Sequence, residues 1–222
     1  MESITELEKG YNIYQYEEEF KFSVDAVLLA DFIDKIKKEK ALEIGSGTGI
    51  IPILLLAKDK VENSKIIALE LQEKMYQLIQ KNIILNNCTD IIETINIDVK
   101  NYNVGNSYDV VFSNPPYMVV DGKKKNDNLG RLISRHEVML DLDDLVKHAK
   151  RLLKPIGKFY MVHRTHRLQE IISTLAKYDF NIEKIQFVYH KQGEKSNLVL
   201  IKANKGIKKI LEVQEPKYIS EF

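Results

Sequence analysis

Short apolar runs alternate along this chain with segments whose apolar residues recur every three or four positions. KALEIG (40–45), KIIALEL (65–71), IIETINI (91–97), YDVVFSN (108–114) and GKFYMVH (157–163) read as strands, the last following a helix whose end KPIG marks. GIIPILLLAKD (49–59) reads as a helix, with Pro52 tolerated in its first turn. LQEKMYQLIQKNIILNN (71–87) sets Leu71, Met75, Leu78, Ile79 and Ile83 at the period of an amphipathic helix. DLDDLVKHAKRLL (141–153) opens with acids, Asp143 and Asp144 among them, and ends with bases, as a helix dipole prefers. HRLQEIISTLAKYDF (166–180) is a further helix, and FKFSVDAVLLADFI (20–33) begins as a strand and continues as an apolar helix. IEKIQFVYH (182–190) and SNLVLIKA (196–203) form a closing strand pair. The KQGEKS between them is too short for a crossover, so that pair is antiparallel.

Strands alternating with helices predict a parallel sheet covered on both faces. The expected fold is α/β: a mostly parallel, seven-stranded, Rossmann-like sheet with a C-terminal antiparallel hairpin, the architecture that class I methyltransferases share. Residues 39–206 make the expected domain, with 1–38 as an N-terminal extension packed on it and 207–222 as a tail. Fold alone names no function.

Composition narrows the field by exclusion. The chain has 222 residues, 33 Lys+Arg and 32 Asp+Glu, so a net charge of +1 gives no overall nucleic-acid signature. KIKKEK (35–40), DGKKKN (121–126) and KANKGIKK (202–209) are locally basic, and each alone reads as a solvated face. Cys88, the single cysteine, cannot form an internal disulfide and reads as an inert core residue in a reducing cytoplasm. MESITELEKG lacks the apolar region of a signal peptide, and no apolar run reaches membrane-spanning length. His136, His163 and His166 have no metal-ligand spacing with a cysteine, so no metal is expected.

ALEIGSGTGI places Gly45, Gly47 and Gly49 between the first strand and its helix. Glycines there admit a ligand close to the backbone, beside free helix N–H groups. The spacing is G-x-G-x-G and not the G-x-G-x-x-G of a dinucleotide turn. Glu43 precedes the loop; an acid there repels a pyrophosphate and attracts a sulfonium or an ammonium. Together these favour S-adenosylmethionine (SAM) over NAD as cofactor. Glu70 closes the second strand, where a carboxylate can accept both ribose hydroxyls. Asp98, after the third strand, suits either the adenine amino group of the cofactor or a simple turn.

The fourth strand ends in Asn114-Pro115-Pro116-Tyr117. Ligands collect at the C-terminal ends of parallel strands. An exocyclic amine or side-chain amide has a delocalised lone pair and needs its N–H groups held. The Asn114 side-chain oxygen and the Pro115 carbonyl can accept one each, on a backbone that proline stiffens. Tyr117 can stack on a planar substrate. The arrangement suits amino-group methylation and does not separate a nucleobase from a glutamine amide.

These residues resemble the Asn-Pro-Pro-Tyr amino-methyltransferases. FKFSVDAVLLADF, LEIGSGTGI, FSNPPY, SRHE (134–137), VHRTHRL (162–168) and QFVYHKQGEKSNLVLI (186–201) are similar to the bacterial enzymes that methylate N6 of adenine 37 in a valine tRNA. The resemblance covers nearly all of 1–206 and implies that Phe22, Ser23 and Asp25 lie near the cofactor, and that Gly45, Glu70, Asp98 and Asn114 meet it or the target amine. It departs from that pattern at Thr165 and His166, where Pro and Glu are usual. A protein-glutamine methyltransferase acting on release factors is the alternative, and the short stretch before the first strand disfavours it. RNA contacts are expected from Lys123, Lys124, Lys125, Arg131 and Arg135, and from the tail through Lys202, Lys205, Lys208 and Lys209, gathered at the sheet's ligand edge by the anticodon stem-loop.

Overall fold

The computed structural model describes residues 2–16, 24–116 and 140–219. A hairpin of β1 (Glu2–Glu6) and β2 (Asn12–Tyr16) comes first, followed by α1 (Val24–Phe32) and a two-residue strand, β3 (Ile36–Lys37). Then come β4 (Lys40–Ile44), α2 (Ile50–Ala57), β5 (Val61–Glu62), β6 (Lys65–Glu70), α3 (Glu73–Leu85), β7 (Ile92–Asn96) and β8 (Tyr108–Ser113). After the undescribed stretch follow α4 (Leu142–Leu152), β9 (Leu153–Arg164), α5 (Leu168–Lys177), β10 (Phe180–Tyr189), β11 (Leu198–Lys205), β12 (Glu212–Val213) and β13 (Lys217–Tyr218).

The main sheet runs β7-β6-β4-β8-β9-β11-β10, parallel through β9 and antiparallel at β11. These are the seven expected strands. Two short strands of the tail, β12 and β13, add to the outer edge of β10, so the sheet has nine. They were not legible because each is two residues long and takes no part in the core.

Both faces of the sheet's centre are buried, so β4, β6 and β8 are nearly continuous apolar runs that divide by parity. Ala41, Ile66, Ala68, Val110 and Phe112 pack toward α1, α2 and α3. Leu42, Ile44, Ile67, Leu69 and Val111 pack toward α4 and α5. Each fully buried Leu or Ile contributes about 1.5–3 kcal/mol. A one-residue slip in register would exchange the two faces. Every residue of α2 is buried, which explains its uninterrupted IIPILLLA, and Pro52 sits in its first turn. The acids expected at the start of α4, Asp143 and Asp144, lie in its first turn; the cap is Asp141, whose side chain accepts from the Asp144 N–H, and Asp143 also pairs with Lys177 and Tyr178.

The helix before β9 ends at Leu152, just ahead of KPIG, as expected; the strand starts earlier than expected, at Leu153, so Lys154, Pro155, Ile156 and Gly157 lie within it. The proline is accommodated by a register irregularity against β8, between Tyr108 and Val110. Cys88 is buried, and burial pushes its thiol up to about 11. No helix among the described residues is long and apolar enough to cross a membrane.

Candidate active site

The parallel strands β4, β6 and β8 deliver the glycine loop, Glu70 and Asn114 to one edge of the sheet. The loop leaves β4 with the N–H groups of Gly45 and Ser46 both donating to the Leu69 carbonyl, at 3.0 Å each. Gly45, Gly47 and Gly49 all have positive φ, 74°, 56° and 76°. That is the left-handed region that side chains resist. A Cβ at Gly45 or Gly47 would meet nothing within 4 Å, so these two border open space. One at Gly49 would approach Ile79 to 3.0 Å, so Gly49 serves helix–loop packing.

Glu70 accepts the Gly47 N–H on Oε2 at 2.8 Å and the Gln72 N–H on Oε1 at 2.9 Å. Burial raises its pKa against those hydrogen bonds. Glu43 lies beneath the loop and is buried, which holds its carboxyl well above the usual range; the nearby Glu70 adds to the shift. Glu43 Oε2 and Ser46 Oγ are buried without a well-formed hydrogen bond among the described residues, although Ser46 is near enough to Glu43 to oppose the rise in its pKa. Orphaned polar atoms below a glycine cradle fit a ligand that brings its own donors, and this donor and acceptor set suits SAM.

Ser113 ties the strands together at the same edge, its hydroxyl donating to the Ile44 carbonyl at 2.8 Å. Asn114 follows, half-buried, and Pro115 is buried. Asp25 is buried in the first turn of α1. Asp98 is half-buried two residues past β7, and its Oδ1 accepts from the Lys100 N–H at 2.8 Å, a turn interaction. Phe22, Ser23, Tyr117, Lys123, Lys124, Lys125, Arg131, Arg135 and His136 fall outside the described residues.

Three residues the sequence did not single out shape this edge. Asn96 donates to the carbonyls of Glu70 and Leu71, at 3.0 and 3.1 Å, fixing the end of β6. Arg151 spreads its guanidinium over the carbonyls of Val99, Tyr102 and Val104, holding the turn after Asp98. Asn82 of α3 donates to the Thr48 carbonyl inside the glycine loop. Each acts on a carbonyl remote in sequence, so no local pattern announces it.

The tail lysines do not gather at the ligand edge as expected. Lys202 is buried and paired with Asp34 and Glu183. Lys205 donates to Asn106 and to the carbonyls of Lys150 and Leu153, beside the start of β8 rather than its end. Lys209 pairs with Glu183, and its N–H donates to Asn181, at the beginning of β10. The reason is topological: β11 runs antiparallel to β9, so a chain leaving it exits at the edge opposite Asn114. A cavity of about 470 Å³ lies between the end of α1 and the tail, lined by Asp31, Lys60, Lys184 and Lys217 among others, and shares no lining residue with the glycine loop. Among the described residues no group of three or more His, Cys, Asp or Glu is placed to hold a metal. His163 is buried and His166 exposed on the turn after β9.

Sheet order, glycine loop and the position of Asn114 define a class I methyltransferase. Solved structures share the fold: a protein of Agrobacterium tumefaciens described as a predicted O-methyltransferase aligns with a TM-score of 0.66 at 19% identity, over 88% of this chain and 87% of that one. TYW2 of P. horikoshii, in complex with MeSAdo, aligns with a TM-score of 0.65 at 15% identity, over 93% of this chain and 72% of that one. The methyltransferase small domain model matches residues 21–188. A tRNA1(Val) (adenine(37)-N6)-methyltransferase of Aeromonas hydrophila is 30% identical, over 85% of this chain and 78% of the relative. One of Bacteroides thetaiotaomicron is 28% identical, over 96% of this chain and 92% of the relative. The chain belongs to the methyltransferase small domain family and, within it, to the tRNA1(Val) (adenine(37)-N6)-methyltransferases.

Proposed function

We propose that this protein transfers a methyl group from SAM to the exocyclic N6 amine of adenine 37 in a valine tRNA. The observation that carries this reading is the placement of Asn114 and Pro115 directly after β8, tied through Ser113 to the strand that delivers the glycine loop. The names of the relatives support the same substrate.

When bound, SAM supplies a methyl group activated by its positive sulfur. The chain's own residues orient the acceptor. The Asn114 side-chain oxygen and the Pro115 carbonyl each accept one N6–H, which turns the nitrogen lone pair out of conjugation and toward the methyl carbon. With SAM held there, its sulfur would keep the bonding pair as the methyl group passed to N6, and N6 would give up its surplus proton to solvent. Tyr117 is assigned to stacking on the base, worth ~1–3 kcal/mol. The target base must leave its stack, which costs less in a loop than in a duplex. Gly45, Gly47 and Glu70 hold the nucleoside and methionine parts of the cofactor, Glu43 faces its cationic end, and Asp98 its adenine. Phe22, Ser23 and Asp25 are assigned to the cofactor by the family resemblance. Lys123, Lys124, Lys125, Arg131 and Arg135 are assigned to the phosphates around the anticodon stem-loop. A tRNA substrate implies a cytoplasmic location.

The test is methylation in vitro with purified protein, SAM and transcribed tRNAs, read by nucleoside mass spectrometry. N6-methyladenosine is expected in valine tRNA and lost when adenine 37 is replaced by guanine. Methylation of a release-factor glutamine, with none on any tRNA, would overturn the reading in favour of a protein substrate.

A further inference from the structure

The N-terminal hairpin is joined to the glycine loop by one side chain. Asn82 lies in α3 with none of its surface exposed. Its Oδ1 accepts the Tyr14 N–H at 2.7 Å, and its Nδ2 donates to the Tyr14 carbonyl at 3.0 Å and to the Thr48 carbonyl at 2.9 Å. Both amide protons are used, one on the hairpin and one on the loop. Thr48 stands between Gly47, which borders the open space, and Gly49, which packs on Ile79 of the same helix.

A second asparagine repeats half of this arrangement. Asn86 accepts the Asn12 N–H at 2.8 Å and donates to the Asn12 carbonyl at 2.7 Å, but its other proton returns to its own helix at Asn82 O. The match is geometric. Four helical residues rise about 6.0 Å and two strand residues about 6.8 Å. Asparagines four apart on α3 therefore meet residues two apart on β2. The strand so held runs from the C-terminal end of α3 toward the glycine loop.

We infer that Asn82, a side chain shared by the N-terminal hairpin and the glycine loop, is a positioning residue for the cofactor loop. The inference rests on the reading that this loop binds SAM. A glycine loop with three positive-φ residues has little stiffness of its own. The bond from Asn82 sets the orientation of the peptide after Thr48 and keeps the Gly47 N–H pointed at Glu70. Asn86 anchors the same strand without touching the loop, and so serves as the control.

The experiment compares Asn82→Ala and Asn86→Ala in the full chain, by calorimetry with SAM, thermal melting without SAM, and steady-state kinetics. Both variants lower the melting temperature. Only Asn82→Ala weakens SAM binding, by about tenfold, as expected when a buried carbonyl loses its donor and the loop its order. The same variant raises KM for SAM and leaves kcat at saturating SAM and KM for tRNA within about twofold. Equal SAM affinities for the two variants would overturn the inference, because hairpin anchoring alone would then account for both. Where Asn82→Ala does not fold, Asn82→Leu, which fills the space but supplies neither donor nor acceptor, is compared with Asn86→Leu; equal SAM affinities in that pair overturn the inference equally. Wild-type protein that fails to bind SAM would instead remove the loop's assignment itself.

Discussion

The Gly47 N–H donates to Glu70 Oε2 at 2.8 Å, so the carboxylate expected to meet a ligand also holds the loop that cradles it. The Gln72 N–H occupies the other oxygen. A carboxylate offers about four lone-pair directions, so acceptor capacity remains for ribose hydroxyls. Glu70 thus sets the loop's shape and offers the ligand its acceptors with one group.

Replacing Glu70 by Ala is expected to weaken SAM binding by ~1–3 kcal/mol, the range for leaving buried donors unpaired. The loss has two sources, the ribose contact and the Gly47 N–H. Glu70→Gln keeps one acceptor oxygen and should fall between the two. Turnover at saturating SAM should largely survive in both. Calorimetry giving wild-type affinity for Glu70→Ala would remove Glu70 from the site.

SAM binding is expected to be linked to a proton on Glu43. Its raised pKa means the buried carboxyl is protonated in the free protein at pH values where an ordinary glutamate is ionised. A cationic ligand favours the ionised form, so binding expels a proton and affinity rises with pH below the elevated pKa. For the fold itself the sign is the reverse: the neutral carboxyl's contribution is full below the ordinary glutamate range and is lost as pH rises through the elevated value. Calorimetry in buffers of different ionisation heat measures the protons released. Glu43→Gln should release fewer than wild type, and equal proton counts would show that Glu43 does not respond to the ligand.

Asn114→Ala should lower the methyl-transfer rate on the order of 10²–10³, as loss of one preorganised polar group does elsewhere. SAM affinity should stay within a few fold, because the side chain orients the acceptor amine and not the whole cofactor. Single-turnover assays beside SAM calorimetry separate the two effects. Near-normal turnover would show that the Asn114 amide is not needed to orient the amine.

Much of this was legible in the chain because the signals are local. The strands at 40–44, 65–70 and 108–113 are apolar runs buried on both faces, and the glycine loop and Glu70 follow directly from the first two. The β1–β2 hairpin was missed because ESITE and NIYQY are short and polar on alternate positions, with β1 showing no fully buried residue. The early start of β9, at Leu153 and not at the expected Gly157, was hidden because a proline ordinarily breaks a strand, and here a register irregularity absorbs it. Asn82 was invisible for another reason. A mid-helix asparagine looks like any polar position until residues 14 and 48 are brought to it. The tail lysines were misplaced because proximity was inferred from charge without following the direction of β11.

Replacing Lys123, Lys124 and Lys125 together by Ser is expected to weaken tRNA binding at low salt with SAM binding unchanged. Each lost phosphate contact should flatten the slope of log affinity against log salt by roughly 0.7–0.9. A salt titration of wild type and triple variant reads the difference. Coincident lines would take these lysines off the RNA surface.

His163 gives the fold a specific weakness toward acid. The ring is 2% exposed at the end of β9, with Nδ1 accepting the Arg164 N–H at 2.8 Å and Nε2 facing Arg167. Burial, with Arg167 beside it, lowers its pKa from 6.5 to about 4. The folded chain therefore keeps the ring neutral in a range where the unfolded chain protonates it. Stability from this group is complete above pH 6.5 and is lost as pH falls toward 4. The full loss is no more than about 3 kcal/mol, with about 2 kcal/mol of it between pH 7 and 5. His148, lowered by burial and by Arg151, acts in the same direction, so the wild-type slope alone does not isolate one ring. Asp31, Asp34, Asp109 and Glu183 have lowered pKa values, so their stabilisation is retained until the pH falls below the ordinary carboxylate range. Urea denaturation of wild type and His163→Asn at pH 7 and 5 isolates the term, since the asparagine oxygen can take the place of Nδ1 as acceptor for the Arg164 N–H. The variant should be less stable than wild type at pH 7 and should lose less on going to pH 5. Parallel losses in the two proteins would show that the ring takes up its proton within the fold.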